Sequence, residues 1–352
     1  MAWLSGYTYR RKLTIDSSKV DSSLTDFPVT VIFTSSNLDF SSMQADGDDI
    51  RFTDSDGTTV LDYEVERFDQ SGSKAEYHVK IPSVSDSSNT IFYVYYVNTG
   101  ATGGSNATGV WDSNFKMVQH LKGASVTDLD DSTSNNNDFD TEVSSPSYDT
   151  DAKVGKGIDF DGSDDYITCP DSASLDLSGS FLAEALINPD NATNARYFMG
   201  KAEYNGGSDN SGFAPRVNSN RIQVEIYNNG GGAYFSATSS IAVDTWYHVA
   251  LQLDDTNNEF KIFINGSQSG STHSHTAGIG TNNAAFSIAR IIGSGFGTAV
   301  FNGTIDEVRI SDSDRTDAWI KATYHSLFDT LLTYGAEETE SGSNSVFFGC
   351  NF

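Results

Sequence analysis

The stretch VGKGIDFDGSDDYITCPDSASLDLSGSF, residues 154–181, decides the fold of the second half of this 352-residue chain. Short runs of apolar and β-branched residues alternate in it with Asp, Gly and Ser, which is the pattern of short strands joined by tight turns. Far downstream, FNGTIDEVRI, residues 301–310, has the alternation of one longer strand. We predict that this strand closes the same β-structured unit.

The composition of the whole chain favours an all-β protein. Pro is scarce at 6 residues, whereas there are 22 Phe, 16 Tyr and 31 Gly. Aromatic runs between turn formers are typical of β-sandwiches. The length also exceeds the roughly 250–300 residues at which a single core stops growing. We therefore predict two tandem β-sandwich domains with little helix.

The first domain, residues 1–98, contains strand-like runs separated by turn signals. The last run, NTIFYVYYVN, is apolar on both faces, which predicts a central strand that is covered on both sides. This block resembles an uncharacterised domain family that opens with W-x-x-G-Y-x-Y-R, here Trp3 to Arg10, and continues through F-P-V and D-I-R-F-T-D. That family has no settled activity, so the resemblance implies no function for the first domain.

Residues 99–112 are rich in Gly, Ser, Thr and Asn and are predicted to be a linker. Beyond them, WYHVALQLD and EFKIFING join the two stretches quoted above in a pattern that resembles the laminin-G-like branch of the concanavalin-A-like jelly rolls. The resemblance covers residues 113–338, with LLTYGAEE as the last strand. It implies a jelly roll that binds glycans or proteins and in some members calcium. Residues 339–352 are predicted to be a linker and an aromatic C-terminal tail.

Charge and cysteine content exclude several classes of protein. The formal net charge is −27, from 48 acidic and 21 basic residues, so we expect no nucleic-acid binding. No run approaches about 18 apolar residues, so we expect no membrane insertion. Cys169 and Cys350 are the only cysteines, which excludes a disulfide scaffold.

Oxygen-rich loops make calcium the one candidate cofactor. Calcium takes about 6–8 oxygen ligands, which loops at the edge of a sandwich can supply. The resemblance adds that many laminin-G-like domains use the aspartate of the I-D-E motif together with an Asp- and Asn-rich loop. The alternative is that these side chains cap tight turns. The predicted ligands are Asp130, Asn137, Asp161 and Asp306.

A glycan site is predicted on the strand RIQVEIY, residues 221–227, and the loops beside it. Alternation directs Ile222, Val224 and Ile226 inward and leaves the other side chains on the opposite face. Aromatic rings that stack on sugars, together with planar polar groups, are what such a site needs. The alternative is that the aromatic residues belong to the core. The predicted residues are Tyr204, Phe213, Arg221, Gln223, Glu225, Tyr227 and Tyr234.

No catalytic constellation is evident, and we predict that the protein is not an enzyme. Glycosidases need two carboxyl groups about 5–9.5 Å apart. The strand SFLAEALINP offers only Glu184, whereas Glu64 and Glu66 share a face but lie in a segment that matches the uncharacterised family. The six histidines are scattered, and only His273 and His275 are close in sequence.

The function predicted from these features is that of a structural or adhesion protein. No basic-then-apolar leader precedes the first strand, so we expect a bacteriophage virion component, namely a capsid decoration, head fibre or tail protein, because phage particles leave by lysis. Expected partners are other virion proteins, further copies of the chain in an oligomer, and surface glycans. The alternatives are a secreted or cell-surface glycan-binding module of a bacterium or archaeon, and a glycan-active enzyme. The tail residues Phe347, Phe348 and Phe352 are predicted to dock in the assembly or in a groove of their own chain.

Overall fold

The computed structural model describes residues 2–203, 211–228, 231–275, 279–292 and 299–340. Strands make up 46% and helices 8%, which confirms the predicted all-β class. None of the helices in these ranges has the length and apolar character needed to span a membrane. The first six strands are β1 (Tyr9–Ile15), β2 (Leu24–Thr34), β3 (Arg51–Asp54), β4 (Tyr63–Asp69), β5 (Lys74–Val84) and β6 (Thr90–Tyr96).

The rest of the chain adds two α-helices and eighteen strands in the described ranges. The α-helices are α1 (Ala107–Val110) and α2 (Asp317–Leu327), and 3-10 turns lie at Ser17–Lys19, Phe40–Ser42, Val126–Asp128 and Ala173–Leu175. The strands are β7 (Phe115–Gln119), β8 (Thr141–Val143), β9 (Ser147–Asp151), β10 (Lys156–Asp161), β11 (Tyr166–Cys169), β12 (Phe181–Pro189), β13 (Arg196–Tyr197), β14 (Met199–Glu203), β15 (Ser211–Asn218), β16 (Arg221–Asn228), β17 (Gly231–Ser236), β18 (Tyr247–Asp254), β19 (Glu259–Ile264), β20 (Ser267–Gln268), β21 (His273–Ser274), β22 (Phe286–Ile288), β23 (Asn302–Ser311) and β24 (Leu332–Thr339).

Four sheets form from these strands. The first domain has a four-stranded sheet in the order β24-β1-β6-β3 and a three-stranded sheet in the order β2-β5-β4. The second has a nine-stranded sheet, β20-β19-β18-β12-β23-β10-β9, to which β21 and β7 also pair, and an eight-stranded sheet, β17-β16-β15-β14-β22-β11-β8, to which β13 pairs. As predicted, β6 is central in its sheet, and its residues Phe92 to Tyr96 are all buried.

The jelly-roll core lies between the nine-stranded and eight-stranded sheets. Along β12 and β18 alternate residues are fully buried in it, among them Ala185, Ile187, Val249 and Leu251. This is the period-two pattern that a strand with one face on a core requires. The opposite face of the nine-stranded sheet is also covered, because the first domain packs on it.

A second core joins the two domains. It continues from the interior of the first domain to the outer face of the nine-stranded sheet and includes Leu182, Ala250 and Trp319. The Trp319 ring on α2 meets the Phe27 ring of β2 edge to face, with centroids 4.9 Å apart. The predicted linker is docked as well, since Trp111 at its end is buried in this core.

The strand β24 departs from the expectation that LLTYGAEE is the last strand of the jelly roll. It pairs with β1 of the first domain, with Ile15 opposite Leu332 and Arg10 opposite Glu338. The Arg10 guanidinium forms a 2.7 Å ion pair with Glu338. This pairing covers an edge of β1 that would otherwise expose unpaired backbone groups. The chain therefore returns to its first domain after completing the second.

Candidate functional site

The outer face of β15, β16 and β17 carries the predicted glycan residues. Along β16, Ile222, Val224 and Ile226 are fully buried between the sheets, which confirms the predicted inward face. The side chains between them therefore lie on the outer face. In register, Glu225 lies opposite Tyr234 of the neighbouring strand.

An arginine that the sequence did not single out organises this face. Arg216 of β15 forms a 2.5 Å ion pair with Glu225 and donates a 2.9 Å hydrogen bond to the hydroxyl of Tyr197. Glu225 also accepts a 2.7 Å hydrogen bond from the hydroxyl of Tyr227. Because several partners hold it, the guanidinium has a fixed orientation. The sequence contained a signal for this arginine. A two-residue turn joins β15 to β16 as a hairpin, and counting back from that turn places Arg216 opposite Gln223 on the outer face.

Tyr234 lies exposed beside this network. It is 50% exposed and is the only aromatic among the exposed large hydrophobic side chains in the part of the chain that the structure describes. The guanidinium of Arg216 lies 5.4 Å from its ring centroid, which orients the ring by a cation–π contact. Gln223, whose Oε1 accepts a 2.9 Å hydrogen bond from Asn218, adds a planar polar group to the same face. We call Tyr197, Arg216, Gln223, Glu225, Tyr227 and Tyr234 the outer-face patch.

Two of the predicted glycan residues do not belong to the patch. Phe213 is 1% exposed and packs in the jelly-roll core with its ring centroid 5.4 Å from that of Phe181. The alternation of β15 directs it inward, opposite Ile226, so it is a core aromatic and not a sugar-stacking residue. Arg221 lies at the exposed start of β16 and donates to the carbonyl of Ala237 at 3.3 Å. Tyr204 and the tail residues Phe347, Phe348 and Phe352 lie outside the described residues.

The predicted calcium ligands do not converge. Within the described ranges, no cluster of three or more acidic, histidine or cysteine ligand atoms combines Asp130, Asp161 and Asp306. The Asn137 side-chain amide is buried and donates to the carbonyl of Lys116 at 2.6 Å, so it holds a loop in place. Asp161 lies in an exposed turn, and its carboxylate accepts from the backbone N–H of Ser163 at 2.7 Å, which is the turn-capping alternative.

Asp306 lies in a different environment from the other three. It is completely buried and accepts a 2.9 Å hydrogen bond from the backbone N–H of Val154. Burial, together with the neighbouring carboxylates of Glu307 and Glu66, raises its pKa well above the ordinary range. It therefore lies beside a buried cluster of charged residues between the domains.

That interdomain cluster was missed in the sequence. It consists of Glu64 and Glu66 of β4, His78 of β5, His120 after β7, and Glu307 of β23, and all five side chains are buried. The two imidazole rings stack with centroids 4.4 Å apart. The available signal was a histidine inside the strand-like run KAEYHVKIP, close to a neighbouring strand that carries two glutamates; in the structure His78 pairs with Glu64.

Close contacts between opposite charges connect the cluster across the domain boundary. His120 contacts Glu307 through Nδ1 and lies 3.2 Å from Glu64 through Nε2. Burial opposes a charged ring, but the carboxylates of Glu307 and Glu64 outweigh it and raise the pKa of His120 to about 10. Although burial raises the pKa of the Glu64 carboxyl, His120 outweighs it and holds that pKa below its usual range. The Trp111 indole N–H also donates to Glu64 at 2.8 Å.

The carboxylates considered for catalysis are all removed from the surface. Glu184 is 2% exposed and lies 3.1 Å from Nε2 of His248. Glu64 and Glu66 are 4% and 5% exposed inside the interdomain cluster. Each is therefore engaged in an internal contact.

The sequence comparisons agree with this architecture. Residues 161–321 match the family described as the concanavalin A-like lectin/glucanases superfamily, in its laminin-G form. The match lies within the second domain, which has the concanavalin-A-like fold. Residues 46–138 match a domain of unknown function, DUF2341, which precedes the concanavalin-A-like domain. Both predicted resemblances are confirmed. No curated protein sequence matches the chain.

Several solved structures are similar to the chain at low identity. The binding domain of Paraclostridial Mosquitocidal Protein 1 is 15% identical over 61% of this chain and 53% of its own, with a TM-score of 0.49. Domain 4 of AbnA, an extracellular arabinanase from Geobacillus stearothermophilus in complex with arabinotriose, is 18% identical over 62% of this chain and 98% of its own, with a TM-score of 0.46. A sialidase CBM40 from Ruminococcus gnavus bound to α2,3 sialyllactose is 14% identical over 48% and 96%, with a TM-score of 0.40. The chain spans about half the length of the first of these structures.

Proposed function

We propose that the protein is a non-enzymatic glycan-binding protein and that it binds through the outer-face patch. The observation that carries this proposal is the half-exposed ring of Tyr234, which Arg216 orients from within the patch. The match to the concanavalin A-like lectin/glucanases superfamily supports it. An aromatic ring beside planar hydrogen-bonding side chains suits the alternating apolar and hydroxyl faces of a sugar.

The electrostatics of the patch favour a neutral glycan. Arg216, its central cation, already pairs with Glu225 at 2.5 Å. The chain as a whole carries a formal charge of −27, which repels sialylated or sulfated chains. Since Arg216 and Glu225 are already ordered by each other, binding a sugar loses little additional side-chain entropy there.

A glycan array followed by calorimetry tests the proposal. Tyr234→Ala should weaken binding of the best neutral glycan about tenfold, close to 1.4 kcal/mol, because the stacking surface is lost. Val60→Ala, which removes another exposed apolar side chain in the first domain, is the matched control and should leave affinity unchanged. Equal affinity for Tyr234→Ala and the unaltered chain would contradict the site. Release of reducing sugar from the bound glycan would contradict the non-enzymatic assignment.

We retain the bacteriophage virion as the proposed location, with a secreted or cell-surface module as the alternative. The shared core between the domains supports a display role, because it holds the outer-face patch in a constant direction relative to the first domain. Mass spectrometry of purified particles and of the cell-surface fraction distinguishes the two locations. Light scattering of the purified chain tests the predicted oligomer.

Calcium binding also stays a proposal, at the exposed turn that contains Asp161. Carboxylate oxygens of Asp161, Asp164 and Asp165 lie there within 4.8 Å of one another. Asp161→Asn should remove any rise of the melting temperature that calcium produces. A rise that persists in this variant would contradict a site at the turn.

A further inference from the structure

Four side chains of the interdomain cluster form a set of metal ligands that spans both domains. One nitrogen or oxygen atom from each of Glu66, His78, His120 and Glu307 lies within 4.8 Å of the others, and all four residues are buried. We propose that these residues bind one transition-metal ion of the zinc class, and that this ion joins the first domain to the concanavalin-A-like domain.

The donor atoms select this class of metal. Two imidazole nitrogens and two carboxylate oxygens suit four-coordinate zinc, whereas calcium requires more ligands and only oxygen. The Nε2 atom of His78 lies 2.9 Å from Oε2 of Glu66 and 3.6 Å from Oε1 of Glu307. These separations bracket the value of about 3.3 Å for two ligands of a tetrahedral ion with bonds of about 2.0–2.1 Å.

Outer partners lie beside three of the four ligands. Nδ1 of His78 lies 3.3 Å from the Thr30 hydroxyl, which leaves Nε2 free to face the other ligands. Metal-bound histidines commonly use their second ring nitrogen for such a hydroxyl or carboxylate partner. Nε2 of His120 lies 3.2 Å from the carboxylate of Glu64, outside hydrogen-bond geometry, and its Nδ1 faces Glu307. Glu307 in turn accepts a 3.0 Å hydrogen bond from Nε of Arg309.

An unsatisfied oxygen points independently to a cation. Oε1 of Glu66 has no hydrogen-bond partner in the described residues, although the side chain is completely buried. Buried carboxylate oxygens are rarely left without a donor in folded proteins, and each exception requires a reason such as an ion. A metal ion bound by both carboxylate oxygens of Glu66 would satisfy that oxygen as well as Oε2.

The backbone at Glu307 adds a second structural reason. Its φ is +53°, in the left-handed region that non-glycine residues seldom occupy. The residue forms a β-bulge, because the pairing of β23 with β12 shifts register between Glu184 and Leu186. Bulges and strained residues are concentrated at functional sites, where they redirect a side chain. Here the bulge turns Glu307 toward the first domain.

A cavity reaches one of the four proposed ligands. It has a volume of about 230 Å³, and His120 and Glu64 are among the residues that line it. Asp128, Asp130 and Asp131 line it together with Lys122, and Asp128 and Asp130 are exposed. An excess of acidic residues raises the local concentration of cations. Asp130, predicted as a calcium ligand, therefore lies in the wall of this cavity.

The test compares two isosteric variants of the full chain after treatment with a chelator. Glu66→Gln removes a proposed ligand, whereas Glu184→Gln is the matched control, because Glu184 is also a buried carboxylate beside one histidine but has no place in the cluster. Zinc titration by calorimetry should give one ion per chain for the unaltered protein and for Glu184→Gln, with a higher melting temperature. Glu66→Gln should lose at least about tenfold in zinc affinity.

A second measurement does not depend on any variant. Cobalt(II) added to the unaltered, chelator-treated chain should produce the intense visible absorption of a four-coordinate site. Weak octahedral-type absorption, or zinc binding that is unchanged in Glu66→Gln, would overturn the proposal, as would calcium stabilising the chain as much as zinc does. Failure of zinc to bind or to raise the melting temperature would overturn it as well.

Discussion

The two outer faces of the concanavalin-A-like domain carry the same kind of sequence in opposite environments. Glu225 on β16 and Glu184 on β12 each stand between apolar residues that point into the jelly-roll core. Glu225 pairs with Arg216 next to the half-exposed Tyr234. Glu184 is buried with His248, where the first domain and α2 cover the sheet. The layer packed on a strand, and not the strand's own pattern, determines whether its outward residues are exposed or buried.

The largest loss of stability is expected for a residue that lies between the sheets and on neither outer face. Phe213→Ala should lower the free energy of unfolding by about 3–5 kcal/mol, because it opens a cavity between the two sheets. Chemical denaturation measures this loss. Glycan affinity of the folded fraction should be unchanged, and a selective loss of affinity with full stability would restore Phe213 as a sugar-contacting residue.

The covered face should respond strongly to loss of a buried partner. His120→Ala should cost about 3–4 kcal/mol in chelator, because it removes the buried cation that faces both Glu64 and Glu307. Urea denaturation of the full chain measures the effect. A cost below about 1 kcal/mol would mean that the two carboxylates are solvated or protonated in the folded protein.

The ion pair between Glu338 of β24 and Arg10 of β1 should contribute little to the free energy of unfolding. Glu338→Gln removes the partner of Arg10 while keeping the strand pairing, and Glu338 is 40% exposed. We expect a loss of about 0.2–1 kcal/mol, typical of exposed ion pairs. High salt should reduce the difference between the variant and the unaltered chain, and a salt-independent loss would indicate a packing role instead.

The open face should be the least sensitive in stability. Tyr234→Ala should change the free energy of unfolding by less than about 0.5 kcal/mol, since half of the ring is already in solvent. Differential scanning calorimetry checks this value. A loss above about 2 kcal/mol would show that the ring is part of the fold and would weaken the binding proposal.

The local pattern of residues in the sequence was sufficient to predict much of the fold. Period-two alternation predicted which residues of β16 face inward and predicted that β6 is covered on both sides. Motif resemblance predicted both domains, and the family comparisons confirmed it. The assignment of Phe213 to the glycan site was wrong. The predicted site combined the strand β16 with aromatic residues taken to lie in loops, and β15, which carries Phe213 on its inward face, was not recognised as a strand.

Long-range pairing was not accessible in the same way. LLTYGAEE reads as an edge strand in either domain, and only the open edge of β1 selects its partner. His78 and His120 stand on different domains, and their rings meet only because the three-stranded sheet packs on the nine-stranded one.

Side-chain alternation and turn chemistry act over a few residues, so the sequence was sufficient to predict the all-β class, the buried faces of strands such as β16, and the resemblance to the superfamily. Which outer face is open and which charged residues converge depends on how the sheets pack in three dimensions. Those outcomes depend on contacts between residues such as Glu66 and Glu307, which lie far apart in the chain. Burial then gives such contacts their energy, since charges removed from water must find partners within the fold.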